Sequence, residues 1–112
     1  MQYFITEAQR KARHSTCYFE FQKGQKRHEY QPVFWKEDSL LLDDDCMNET
    51  GFYKIIPNFA PFGITRISKE AWRVMESRAA QEGGVIQEIL EEFSLWAEKN
   101  FAQYTYFVIL GI

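Results

Sequence analysis

His14, Cys17, His28 and Cys46 are the residues of this chain best suited to hold a soft metal or to form a nucleophile–base pair. His14-x-x-Cys17 has usable local spacing, but His28 and Cys46 stand alone and no Cys-x-x-Cys occurs. The plainer alternative is an exposed His14 beside a Cys17 that acts as a small hydrophobe. A Cys–His catalytic pair also lacks a nameable third group to orient the base. Hard-cation chemistry would fall to Asp43, Asp44, Asp45 and Glu49. A calcium loop needs acids at alternating positions, a central Gly and a terminal Glu. Here three acids are consecutive and Gly51 follows Glu49. Ser15, Ser39, Ser68, Ser77 and Ser94 lack a nucleophile-elbow context. Gly83-Gly84 precedes a helical pattern without the Gly-x-x-x-x-Gly-Lys of a phosphate loop. These patterns predict no catalytic residues, no bound metal and no cofactor.

What remains is charge. From Met1 to Lys36, seven Lys/Arg meet three Glu. From Glu37 to Ala60, six acids face the single Lys54. Opposite charge concentrated in neighbouring segments is suited to steering and holding a charged partner. Arg10, Lys11, Arg13, Lys23, Lys26 and Arg27, with Tyr18, Phe19 and Tyr30, have the composition of an aromatic and basic nucleic-acid surface. A pI near 5.4 argues against that use. The acids read as a solvated loop or as a protein-binding patch. In the second case Asp43, Asp44, Asp45 and Glu49 are electrostatic contacts, and Tyr53 and Phe59 are apolar anchors. No nucleic acid, membrane or small-molecule ligand is expected.

At 112 residues the chain is expected to form a single domain, 1–112, with one core. A hydrophobic fraction of 46% and an aromatic fraction of 17% exclude a disordered chain. The longest apolar stretch, Phe107–Leu110, is far short of a membrane span. Thr6-Glu7 interrupts what would be a signal peptide's apolar region, so a cytoplasmic protein with reduced cysteines is expected. A Cys17–Cys46 bridge stays open.

The elements that must position these residues follow from periodicity. Thr6 is a possible N-cap for a short exposed helix to His14. Ser15–Lys23 alternates as a strand, with Cys17, Phe19 and Phe21 on one side and Tyr18, Glu20 and Gln22 on the other. A turn at Gly24 and a second strand over His28–Trp35 complete a predicted hairpin, demoted to an edge or bulge by Pro32. Leu40–Leu42 is a strand end opening into an exposed acidic loop. Phe52–Ile56 and Ile64–Ile67 are further strand candidates. Helices are expected over about Lys69–Gln81, capped by Ser68 and broken at Gly83-Gly84, and over about Val85–Asn100. Tyr104–Leu110, apolar on both faces from Phe107, is expected as a strand central in the sheet. The fold class is α+β: an antiparallel or mixed sheet with two C-terminal helices on one face.

The segments PFGITRISKEAWRVMES, VIQEILEEFSLWAEKNF and YTYFVILGI, over about residues 61–112, carry a family resemblance. Their GITRIS lead-in, Trp-bearing helix and apolar strand ending in Leu110-Gly111-Ile112 resemble the small bacterial immunity proteins paired with polymorphic toxins, the contact-dependent growth inhibition group above all. The resemblance implies a cytoplasmic inhibitor of a cognate toxin domain, often a nuclease, acting by stoichiometric occlusion. No binding residue carries over by position. Two rivals stay open: a regulatory or scaffold module with an unrelated partner, and a small metal protein or enzyme built on His14, Cys17 and His28.

Overall fold

A computed structural model describes residues 2–25 and 33–111. In chain order it has β1 (Phe4–Thr6), α1 (Glu7–Arg13), β2 (Tyr18–Lys23), β3 (Leu40–Asp43), α2 (Asp44–Thr50), a 3-10 turn (Phe52–Ile55), β4 (Ile64–Ser68), α3 (Lys69–Glu82), α4 (Gly84–Phe101) and β5 (Tyr106–Leu110). The strands form one five-stranded antiparallel sheet in the order β1-β3-β2-β5-β4. β5 lies between β2 and β4, with Phe21 opposite Ile109 and Ile67 opposite Phe107. All five of its residues are buried, as an interior strand that is apolar on both faces requires.

The main core lies between one sheet face and the helices. Phe4, Phe19, Phe21, Leu42, Phe107 and Ile109 point into it from the strands, and Trp72, Met75, Ile89, Leu90 and Phe93 from α3 and α4. Phe93 is the hub: its ring lies 4.9 Å from those of Phe21 and Trp96, 5.1 Å from Phe4 and 5.4 Å from Phe107. The helix boundaries follow local chemistry. Thr6 caps α1 in a reciprocal capping box with Gln9, and Ser68 caps α3 through the Ala71 N–H. Gly83 and Gly84 both hold positive φ, which ends α3 and starts α4 in a new direction.

The second sheet face departs from expectation. Alternation places Glu20 and Gln22 there, yet both are fully buried. The Glu20 carboxylate accepts from the Trp35 and Lys36 backbone N–H groups, each at 2.8 Å, and from the Ser39 hydroxyl at 2.6 Å. Gln22 donates to the Val33 carbonyl at 2.7 Å. These bonds lay segment 33–39 across the face. Trp35 packs on Ile5, Tyr18 and Leu41, and the Arg10 guanidinium sits 4.0 Å from the Trp35 ring centroid while pairing with buried Glu7.

The predicted hairpin is corrected accordingly. β2 pairs with β3 and β5, and Val33–Trp35 are irregular, with the Val33 carbonyl held by Gln22 and the Trp35 N–H by Glu20. The rest of the predicted second strand, with Pro32, lies outside the described residues. The predicted strand at Phe52–Ile56 is a 3-10 turn, since Phe52 and Ile55, three apart, are buried while Tyr53 and Lys54 are exposed. β1 was not expected from sequence; its backbone N–H at Phe4, and that of Tyr3 before it, donate to Glu92 of α4 at 2.6–3.0 Å. That carboxylate satisfies the edge donors a partner strand would otherwise take.

Candidate functional site

The acidic residues do not form a loop. Asp43 is the last residue of β3 and the N-cap of α2, its carboxylate accepting from the Asp45 N–H at 2.8 Å. Asp44 and Asp45 occupy the first turn of α2, where backbone N–H groups and the helix dipole favour negative charge. This is why three consecutive aspartates are tolerated at a strand end. Their carboxylate oxygens can approach within 4.8 Å of one another. Glu49 follows, exposed, in the last turn of α2.

Asp43 and Glu49 line a cleft of about 440 Å³ with Tyr3, Arg13, Tyr18 and Cys46. β1, α1, β2, β3, α2 and the start of α4 all contribute to it. Tyr18 stands opposite Asp43 in the β2–β3 register, which fixes its ring beside that carboxylate's strand. Tyr18 is only 7% exposed, and its phenol hydroxyl has no hydrogen-bond partner among the described residues. Tyr3 is oriented from the other side: its hydroxyl donates to Glu88 at 2.7 Å, which raises the phenol above its ordinary pKa. Arg13, the final residue of α1, is exposed at the cleft.

Cys46 sits half-buried in the same wall. Burial pushes its thiol above the ordinary value, and the charges of Asp43, Glu49 and Glu92 push it further. It is a protonated thiol, without the lowered pKa of an activated nucleophile. Cys17 is exposed, and both cysteines are free. His14 is the left-handed C-cap of α1, exposed to solvent; His28 lies outside the described residues. Among the described residues His14 and Cys17 join no cluster of three metal-ligating side chains.

The basic N-terminal region is partly used by the fold itself. Arg10 pairs with Glu7 at 2.6 Å, and Lys23 reaches Asp38 at 4.0 Å. Asp43, Asp44, Asp45 and Glu49 have no ion-pair partner within 4.0 Å among the described residues. Of the two expected anchors, Tyr53 is 39% exposed beside α2. Phe59 is half-buried, with its ring centroid 5.4 Å from that of Phe19, so the fold already uses much of its surface. Sequence reasoning missed Tyr3, Arg13 and Tyr18 as members of this site. They meet the acids only through strand pairing and the α1 turn, which no local pattern encodes. A separate exposed apolar set, Phe34, Phe62 and Ile64, borders a smaller hollow at the far end of β5.

No protein-family profile, curated protein or solved structure matches this chain. No helix among the described residues is long and apolar enough to cross a membrane.

Proposed function

We propose that this protein is a cytoplasmic immunity protein that binds a cognate toxin domain, with a basic nuclease as the best-fitting class, and neutralises it by stoichiometric occlusion. The observation that carries the reading is the set of acids on α2 and its cap, without ion-pair partners among the described residues and beside a cleft with tyrosine walls. Such a surface accelerates encounter with a basic patch, and each acid near the contact adds salt-sensitive attraction. Exposed Tyr53 beside the acids supplies amphipathic contact area of the kind interfaces favour. The resemblance over residues 61–112 supports the same class. A nuclease groove built for phosphates presents Lys and Arg, and carboxylates on a helix are a shape-compatible substitute for those phosphates.

The test is capture by the tagged protein from its native cells, elution over a salt gradient, and co-expression. The expected result is one stoichiometric protein released as salt rises, whose gene arrests growth when expressed alone and not when co-expressed with this chain. A captured protein that is harmless alone would refute inhibition and leave a scaffold role.

A further inference from the structure

We infer that the cleft between α2 and β2 is a receptor for one arginine side chain, inserted between the Asp43 and Glu49 carboxylates and the Tyr18 hydroxyl. The basic protein partner proposed above supplies that arginine. Three independent features of the cleft converge on it. The first is size: about 440 Å³ lies in the range of cavities that enclose a small organic group. The second is charge. Two carboxylates without ion-pair partners line the cleft against one cation, Arg13, so its lining is net negative. Burial is the main cause that raises the Cys46 thiol, and the charges of Asp43, Glu49 and Glu92 add to the rise. The third is the Tyr18 hydroxyl, carried on a residue more than nine-tenths buried, lining the cleft with no partner of its own. The hydroxyl is open to the cleft and accepts from no group of the described residues, so a bound donor meets an acceptor that the fold does not already use.

Guanidinium fits these features better than ammonium. Its planar fork presents five N–H donors in fixed directions, enough for two carboxylates and a hydroxyl together. It is also more weakly hydrated, which lowers the cost of entering a cleft with aromatic walls. The Tyr3 ring, held by Glu88, provides a surface for the arginine methylenes. Arg13 at the margin repels a second cation, so the cleft takes one basic side chain.

The probe is N-acetyl-arginine N-methylamide, titrated into the ¹⁵N-labelled full chain and followed by amide chemical shifts. The neutral control is the citrulline analogue, identical in shape without the charge. The expected result is saturable shifts at Tyr18, Asp43, Cys46 and Glu49, with the citrulline analogue at least about tenfold weaker. The double variant Asp43→Asn, Glu49→Gln should lose the arginine-dependent shifts. Asn is as good an N-cap as Asp, so α2 is retained in that variant, and an unchanged amide spectrum elsewhere checks it. Equal shifts with the citrulline analogue would overturn the assignment, as would shifts confined to residues outside the cleft or no saturable shift at all. A response to N-acetyl-aspartate N-methylamide centred on Arg13 would replace the arginine with a partner carboxylate. The titration needs no toxin, so its outcome is separable from that of the capture experiment.

Discussion

Removing the Glu20 carboxylate should detach the strap formed by residues 33–39 from the sheet. The carboxylate is fully buried and is the shared acceptor of two backbone N–H groups and one hydroxyl. A hydrogen bond to a charged group contributes about 1.5–3 kcal/mol, which sets an upper bound near 5–9 kcal/mol for the three. Burial of the carboxylate costs several kcal/mol, and the charge of Arg10, which pairs directly with Glu7, offsets only part of it. The net loss for Glu20→Ala is therefore about 2–4 kcal/mol, limited by the ability of the freed N–H groups to reach water once the strap lifts. Glu20→Gln should lose somewhat less, about 2 kcal/mol, because its amide keeps one acceptor oxygen but turns donors toward donors. Urea denaturation gives the free energies, and hydrogen exchange at the Trp35 and Lys36 amides reports the strap directly. Both amides should exchange faster in the variants than in the parent, while β5 amides stay protected. Variants within about 0.5 kcal/mol of the parent, with slow exchange at Trp35 and Lys36, would refute the claim that this carboxylate holds the strap.

Phe93→Ala should cost about 3–5 kcal/mol in urea melts, since the ring is fully buried and packs with five other aromatic rings; a loss under about 1 kcal/mol would contradict that packing. Stability should fall as pH rises through the alkaline range. The Tyr3 phenol is raised by Glu88, so the folded state holds this proton more tightly; its contribution is complete below the unfolded tyrosine value near 10 and is lost above it. Tyr3→Phe should remove that part of the alkaline slope in pH-dependent melts. Thiol titration with a disulfide reagent near pH 8 should modify exposed Cys17 before Cys46, with the two rates converging in denaturant and Cys46 quickening in the Asp43→Asn, Glu49→Gln variant. Asp44→Lys with Asp45→Lys leaves the Asp43 cap in place and should slow association with the captured partner about tenfold at low salt; an unchanged rate in stopped-flow mixing would move the contact off α2.

The parts of the fold legible in the sequence were those whose signal is a repeated period. α3 and α4 fall within one residue of their expected bounds because Trp72, Met75 and Ala79, or Ile86, Ile89 and Phe93, recur at helical spacing; β5 falls within two through its unbroken apolar run instead. Three-residue β1 offers no period to count, and its place is set by Glu92, far along the chain. The turn at Phe52 carried the spacing of its two buried residues, but β-prone side chains outweighed it. Acids at a strand end predict a solvated loop at Asp43–Asp45, whereas a helix start supplies backbone donors to the same groups. The site was legible as a charge and not as a shape. Its acids are near neighbours in sequence, while Tyr3, Arg13 and Tyr18 reach them only through the β1–β3 and β2–β3 pairings and the course of α1.

The strand order also constrains how the protein is made. β5 pairs on both sides, with β2 and with β4, and nothing else joins those two strands in the sheet. A chain synthesised only as far as residue 105 can form α3 and α4, yet its β2 and β4 each present an unpaired edge and the sheet is split into two parts. Native protection of the sheet therefore waits for Tyr106–Leu110 to slide between strands already made. Until then the half-built sheet is a template for unwanted strand pairing, and chaperone dependence should be concentrated in that interval.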